Sequence, residues 1–126
     1  MGLVYTEIEL ANLLAPELQS YKVKALVDTG ALHLCIPQHI AVQLKLKQLE
    51  EREVTIADGS KRVIPYVGPV KVTFQNRNCF TGAMVIGDEV LLGAIPMEDM
   101  DLVVHPSRLL VTANPESPNI PASVVK

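Results

Sequence analysis

The chain has 126 residues, 48% of them apolar, with a formal net charge of -3, enough for one hydrophobic core without disulfide or metal support. Its 14 acidic and 11 basic residues form no basic stripe and its aromatic content is only 4%, which argues against nucleic acid as a direct ligand. No apolar run approaches the roughly 18 to 20 residues of a bilayer span, and no charged-then-apolar leader opens the sequence, so a soluble cytoplasmic protein with no membrane contact is expected.

The first element is a half-buried strand, because Val4, Ile8 and Leu10 share one phase with Thr6 while Tyr5, Glu7 and Glu9 take the other. The opening Met1-Gly2-Leu3-Val4-Tyr5-Thr6 also fits the myristoylation pattern, but reads better as this strand. After a loop through Asn12, Pro16 and Ser20, Tyr21, Val23, Ala25 and Val27 alternate with Lys22 and Lys24, and the run turns fully apolar at Ala25-Leu26-Val27 before stopping at Asp28. Leu34 to Ile36 is apolar, and Pro37 with Ile40, Ala41 and Leu44 predicts a short helix from about Pro37 to Leu46. Val54-Thr55-Ile56 and Arg62-Val63-Ile64 flank Ala57-Asp58-Gly59-Ser60, a hairpin with its tip near Gly59. Glu50-Glu51-Arg52-Glu53 reads as a solvated strand entrance.

Val70, Val72 and Phe74 alternate with Lys71 and Thr73, the turn Gln75-Asn76-Arg77-Asn78 follows, and Cys79 to Ile86 predicts a further strand. Val90-Leu91-Leu92 ends at Gly93, and Pro115, Pro118 and Pro121 argue for an extended tail. The class is mostly β, with one domain over residues 1–112 and an extended Pro-rich tail over 113–126.

A carboxylate directly after three apolar strand residues is costly to bury unless its charge is hydrogen-bonded or shared, which singles out Asp28. Thr29 offers a hydroxyl, and Gly30 permits a turn or a close backbone approach. Taken alone, Asp-Thr-Gly equally suits a strand-end turn. The longer stretch Ala25-Leu26-Val27-Asp28-Thr29-Gly30-Ala31-Leu32-His33-Leu34-Cys35-Ile36 resembles the active-site segment of retropepsins, the retroviral-type aspartic proteases. Ala57-Asp58-Gly59-Ser60 is similar to the flap turn of retrotransposon-type members, and Leu91-Leu92-Gly93 to the family's apolar-apolar-Gly motif, with a helical turn expected over Met97 to Leu102. The three motifs stand in the family's order over about Tyr21 to Val104.

The resemblance implies a retropepsin-like closed β-barrel, the acid-protease half, with one or two short helices, acting as a symmetric homodimer on peptide or protein substrates without a cofactor. It implies that Asp28 is the catalytic acid, that Thr29 grips the partner subunit, and that Gly30 turns its carbonyl toward substrate. It places Ala31, Leu32, His33, Cys35 and Leu92 on the substrate side, with Ala57, Asp58, Gly59 and Ser60 at the flap tip, and has Leu91-Leu92-Gly93 cross beneath the Asp28 loop. The sequence holds one Asp-Thr-Gly, and Asp58, Asp88, Asp99 and Asp101 stand in turn or surface contexts, so the second catalytic Asp has to come from another copy. The edges Gly2 to Thr6 and Leu109 to Thr112 are the interface strands that the family implies.

The sequence departs from the viral pattern at Ala94, where an arginine is usual, at Leu32, where a small or acidic residue is usual, and in its longer tail. His33, Cys35, His39 and Cys79 could be imagined as a zinc set, but no second close pair completes it, so no metal is expected and both cysteines read as free thiols. His39 reads as a solvated helix residue and His105 as a loop residue. Two readings follow: an aspartic endopeptidase using a water activated between two Asp28 carboxylates, or a catalytically silent dimer that binds peptides or serves assembly.

Overall fold

The computed structural model describes residues 3–125. It contains β1 (Val4–Asn12), β2 (Tyr21–Val27), β3 (Leu34–Ile36), α1 (Gln38–Gln43), β4 (Lys47–Thr55), β5 (Lys61–Phe74), β6 (Arg77–Val85), β7 (Leu91–Leu92), α2 (Ala94–Asp99), β8 (Leu102–His105) and β9 (Leu110–Ala113), with a 3-10 turn at Pro106–Arg108. The predicted alternation of β1 is realised: Val4, Ile8 and Leu10 are buried while Tyr5 is exposed. Gly2, at the start of the expected interface edge, and Met1 lie outside the described residues.

Six strands close on themselves in the order β1, β2, β7, β3, β6, β5 and back to β1, and β4 adds to the outer edge of β5. β1 performs two pairings, antiparallel to β2 along its length and to β5 over Glu9–Asn12. Closure leaves Ile8, Leu10, Ala25, Leu34, Ile36, Val70, Val72 and Leu92 essentially inaccessible, the burial that drives the fold.

The first helix is shorter than the predicted Pro37–Leu46. Pro37 keeps extended angles as its N-cap, Leu44 ends it, and Lys45 turns left-handed with φ 52°. The side chain of Asn12 accounts for this stop, because its Nδ2 donates to the carbonyls of Leu44 (2.9 Å) and Lys45 (3.1 Å), which the helix end leaves unpaired. A second difference lies in β5, where the two expected segments are one 14-residue strand. Its register to β6 shifts between Val67 and Val70, a bulge that bends the strand and accommodates Pro69. One half of β5 thereby builds the hairpin with β4, and the other half belongs to the barrel.

The turn predicted at Gln75-Asn76-Arg77-Asn78 is tighter, with Phe74 paired to Arg77 and Gln75 at φ 51°. Arg77 thus enters a strand and is fully buried. Its Nη1 donates to the Met100 carbonyl (3.3 Å) and its Nη2 to the Ser117 carbonyl, while Nε has no hydrogen-bond partner among the described residues. Asp101, read from sequence as a turn or surface aspartate, stands 3.9 Å from the Arg77 Nη1. It accepts from Asn114 Nδ2 (3.1 Å), the Ser117 hydroxyl and the Ala122 amide (2.9 Å), so the residues after β9 turn back onto the barrel. The second helix begins at Ala94, three residues before the expected Met97, and its sequel turns at Asp101 with φ 57°.

The two-residue β7 threads between β2, to which it is parallel, and β3, to which it is antiparallel. Gly93 then passes directly against the chain at Leu32 and His33, where a Cβ would sit 2.5 Å from the His33 carbonyl oxygen and 2.6 Å from the Leu32 carbonyl carbon. Both obstacles are backbone, so a side chain could be admitted only by moving one segment.

Gly93→Ala is therefore expected to lower stability by about 2 kcal/mol through overpacking, measured as a lower urea midpoint at unchanged slope. The hydrogen bonds from Ser117, Ala122 and Asn114 hold the Asp101 carboxyl below its ordinary value of 3.8. A depressed native pKa contributes stability above the unfolded value that is lost as pH falls through the native one. Thermal melts of wild type and Asp101→Asn should therefore differ near neutral pH and converge in strong acid.

Candidate active site

Asp28 is the first residue beyond β2, and the backbone on both sides of it is fixed by the β7 crossing. The Leu26 amide donates to the Val90 carbonyl (2.9 Å) and the Asp28 amide to the Leu92 carbonyl (3.1 Å). On the far side of the loop, the Ala94 amide donates to the Ala31 carbonyl (2.8 Å) and the Ile95 amide to the Leu32 carbonyl (2.9 Å). The loop itself is closed by the Ala31 amide on the Asp28 carbonyl (3.1 Å), and the Gly30 amide donates to Asp28 Oδ1 at 3.0 Å. That last bond orients the carboxylate, and a Cβ on Gly30 would press on the same oxygen at 3.2 Å.

In the single chain Asp28, Thr29 and Gly30 are exposed, so the burial cost anticipated for Asp28 does not arise within one chain. Two hollows adjoin the loop. The first, of about 460 Å³, is lined by Ala31, Leu32, His33 and Cys35 from the loop and β3, by Glu53 to Ile56 of the hairpin, and by Met84, Ile86 and Leu91. The second, of about 260 Å³, is lined by Leu3, Val4, Val27, Asp28, Thr29, Val104 and Pro106. Asp28 thus lies at the rim of an apolar hollow built partly from β1 and the residues around β8.

The structure brings Ala31, Leu32, His33 and Cys35 together on one groove. Leu92 is fully buried beneath it, and its neighbour Leu91 is the residue that faces the groove. Ala57, Asp58, Gly59 and Ser60 form the exposed tip of the β4–β5 hairpin, outside the groove lining. The Gly59 amide donates to the Ile56 carbonyl (2.8 Å), and Gly59 has φ 87°, a left-handed geometry suited to glycine. Hydrogen bonds from Ser60 hold the Asp58 carboxyl below its usual range, with the Ser60 amide 2.8 Å from Oδ1.

Met84 and Ile86 were not singled out by sequence reasoning, and neither Leu91, known only as part of the Leu91-Leu92-Gly93 crossing, nor the hairpin residues Glu53 to Ile56 were expected as groove walls. Their strands were recognisable, but which face meets the groove follows from the ring closure. Cys35 is a free thiol whose pKa is raised by burial, with the Asp28 charge adding to the effect. Burial, helped by Asp99, pushes the Cys79 thiol up to about 12, so both sulfurs rest in the protonated, weakly nucleophilic state. Among the described residues no group of three His, Cys, Asp or Glu side chains is placed to hold a metal ion. His39 is exposed on α1, and His105, at the end of β8, meets the Thr112 hydroxyl at 2.8 Å.

The family model described as "gag-polyprotein putative aspartyl protease" matches residues 16–95, more than half of the chain and inclusive of Asp28, the hairpin and Gly93. No curated protein sequence matches. Among solved structures, the Simian Foamy Virus (mac) protease is 17% identical, with 73% of this chain and 91% of that one covered at a TM-score of 0.46. A Legionella pneumophila protein of unknown function is 16% identical, with 79% and 89% covered at a TM-score of 0.40. With its closed barrel, its two short helices and a family match running through the Asp28 loop and the β7 crossing, the chain belongs to the retropepsin-like, retroviral-type aspartyl protease family.

Proposed function

We propose that this chain is one half of a homodimeric aspartic endopeptidase, and that two Asp28 carboxylates, one from each subunit, activate the water that hydrolyses a peptide bond. The observation that carries this reading is Asp28 itself: exposed in the single chain, oriented by the Gly30 amide, and set at the rim of an apolar hollow. Leu3 and Leu109 near this side are 65% and 48% exposed, and β9 pairs only with β8 among the described residues, which leaves apolar surface and strand edge for a second copy to cover.

When two such carboxylates approach, they cannot both ionise at low cost, and the pair holds one proton. The ionised member takes a proton from water as it attacks the peptide carbonyl, and the protonated member donates to the carbonyl oxygen. No covalent bond forms between enzyme and substrate. The Gly30 amide keeps Oδ1 pointed in one direction, while the peptide lies in the groove between the Leu32–Cys35 segment and the hairpin. Residues 1–112 carry this chemistry, residues 113–126 form a tail, and the site of action is the cytoplasm. The substrate is a peptide or protein. No described helix is long and apolar enough to cross a membrane.

Cleavage of a peptide library should fall by about a thousandfold or more in Asp28→Asn, because acid and base are lost together. Cleavage that survives the substitution overturns the assignment. A well-folded dimer with no turnover in the wild type points instead to a silent peptide-binding or assembly module. Adding excess Asp28→Asn chains to wild type should suppress activity by drawing active chains into mixed dimers, whereas a monomeric enzyme would be indifferent to them.

A further inference from the structure

Away from the Asp28 loop, three residues from three successive strands meet on one face of the sheet. Arg52 of β4 places its guanidinium carbon 4.0 Å from the centre of the Tyr66 ring on β5, a cation–π contact. Its Nε is also 2.5 Å from Glu50 Oε2, which holds the guanidinium in position over the ring. The same ring lies against Gly82 of β6, where a Cβ would fall 2.3 Å from Tyr66 Cζ and 2.4 Å from Cε2. Only glycine admits the ring there.

The register shows what this arrangement joins. Tyr66 is paired with Glu50 on one side and Met84 on the other. Cross-strand partners share a sheet face, as do alternate residues along a strand. Arg52 therefore shares its face with Val54, and Gly82 shares its face with Met84, and both Val54 and Met84 line the 460 Å³ groove. The Tyr66 ring ties the hairpin strand to the opposite groove wall across the strand between them.

We propose that Arg52, Tyr66 and Gly82 form a clasp that sets the spacing between the β4–β5 hairpin and the β6 wall, and so positions a peptide in the groove. The proposal rests on the endopeptidase reading for its effect on substrate. These are positioning residues, since none of them adjoins Asp28. Tyr66→Ala removes the ring, Gly82→Ala displaces it, and Arg52→Gln, on an exposed strand, loosens it without disturbing the core.

In all three variants KM should rise by about tenfold with kcat held within about threefold, and the amides of residues 53–61 should exchange about tenfold faster. Tyr66→Phe, which keeps the ring, should stay near wild type. Adding Gly82→Ala to Tyr66→Ala should have no further effect, because no ring remains to displace. Unchanged hairpin exchange in Tyr66→Ala and Arg52→Gln, or fully additive effects in the double variant, would overturn the clasp. If the wild type cleaves nothing, the endopeptidase reading fails, while the exchange measurement still decides the clasp.

Discussion

The architecture turns on one close passage of backbone against backbone, where the chain at Gly93 slides past Leu32 and His33 with no room for even a methyl group. Around that passage, β7 gives the barrel a strand only two residues long, yet it is hydrogen-bonded to a neighbour on each side. Four further backbone bonds, from Leu26, Asp28, Ala94 and Ile95, fasten the loop that presents Asp28. The position of the carboxylate is consequently set by main-chain geometry. Side chains of the loop such as Leu32, 60% exposed, are free to vary without moving it.

The electrostatics of the site follow from the same exposure. In one chain Asp28 faces solvent and satisfies Oδ1 with a single amide, so it imposes little desolvation cost on folding. In the proposed dimer that cost would fall at the moment of assembly, offset by apolar surface around Leu3, Val4, Val104 and Pro106. The groove beside it is mainly apolar, and its one thiol, Cys35, is kept protonated by burial and by the neighbouring carboxylate. In the proposed dimer, folding and the organisation of the acidic pair would thereby be two separate steps, the second of which requires a partner.

Local patterns made some of this legible in the sequence. The alternation in Val4–Leu10 and Tyr21–Val27 marked β1 and β2 because one face of each strand is buried, and Asp58-Gly59 marked the hairpin tip because only certain residues tolerate its backbone angles. Leu91-Leu92-Gly93 was readable through resemblance, though the clash that enforces glycine there is visible only in three dimensions. What stayed hidden was non-local. The helix at Gln38–Gln43 is cut short by Asn12, some thirty residues earlier in the chain. The groove-facing residues Met84 and Ile86 depend on ring closure, and Arg77 looks like a polar turn residue until its carbonyl acceptors at Met100 and Ser117 are in place.

The tail has a role that its proline-rich sequence does not suggest. Ser117 supplies a carbonyl to a guanidinium that no solvent reaches, and the same residue's hydroxyl, with the Ala122 amide, shares the carboxylate beside it. A version of the protein trimmed at the end of β9 would deprive that guanidinium of its Ser117 acceptor, and a buried charge left without a partner is among the more destabilising changes available. The shortest piece of this chain that folds well is accordingly longer than the barrel it contains.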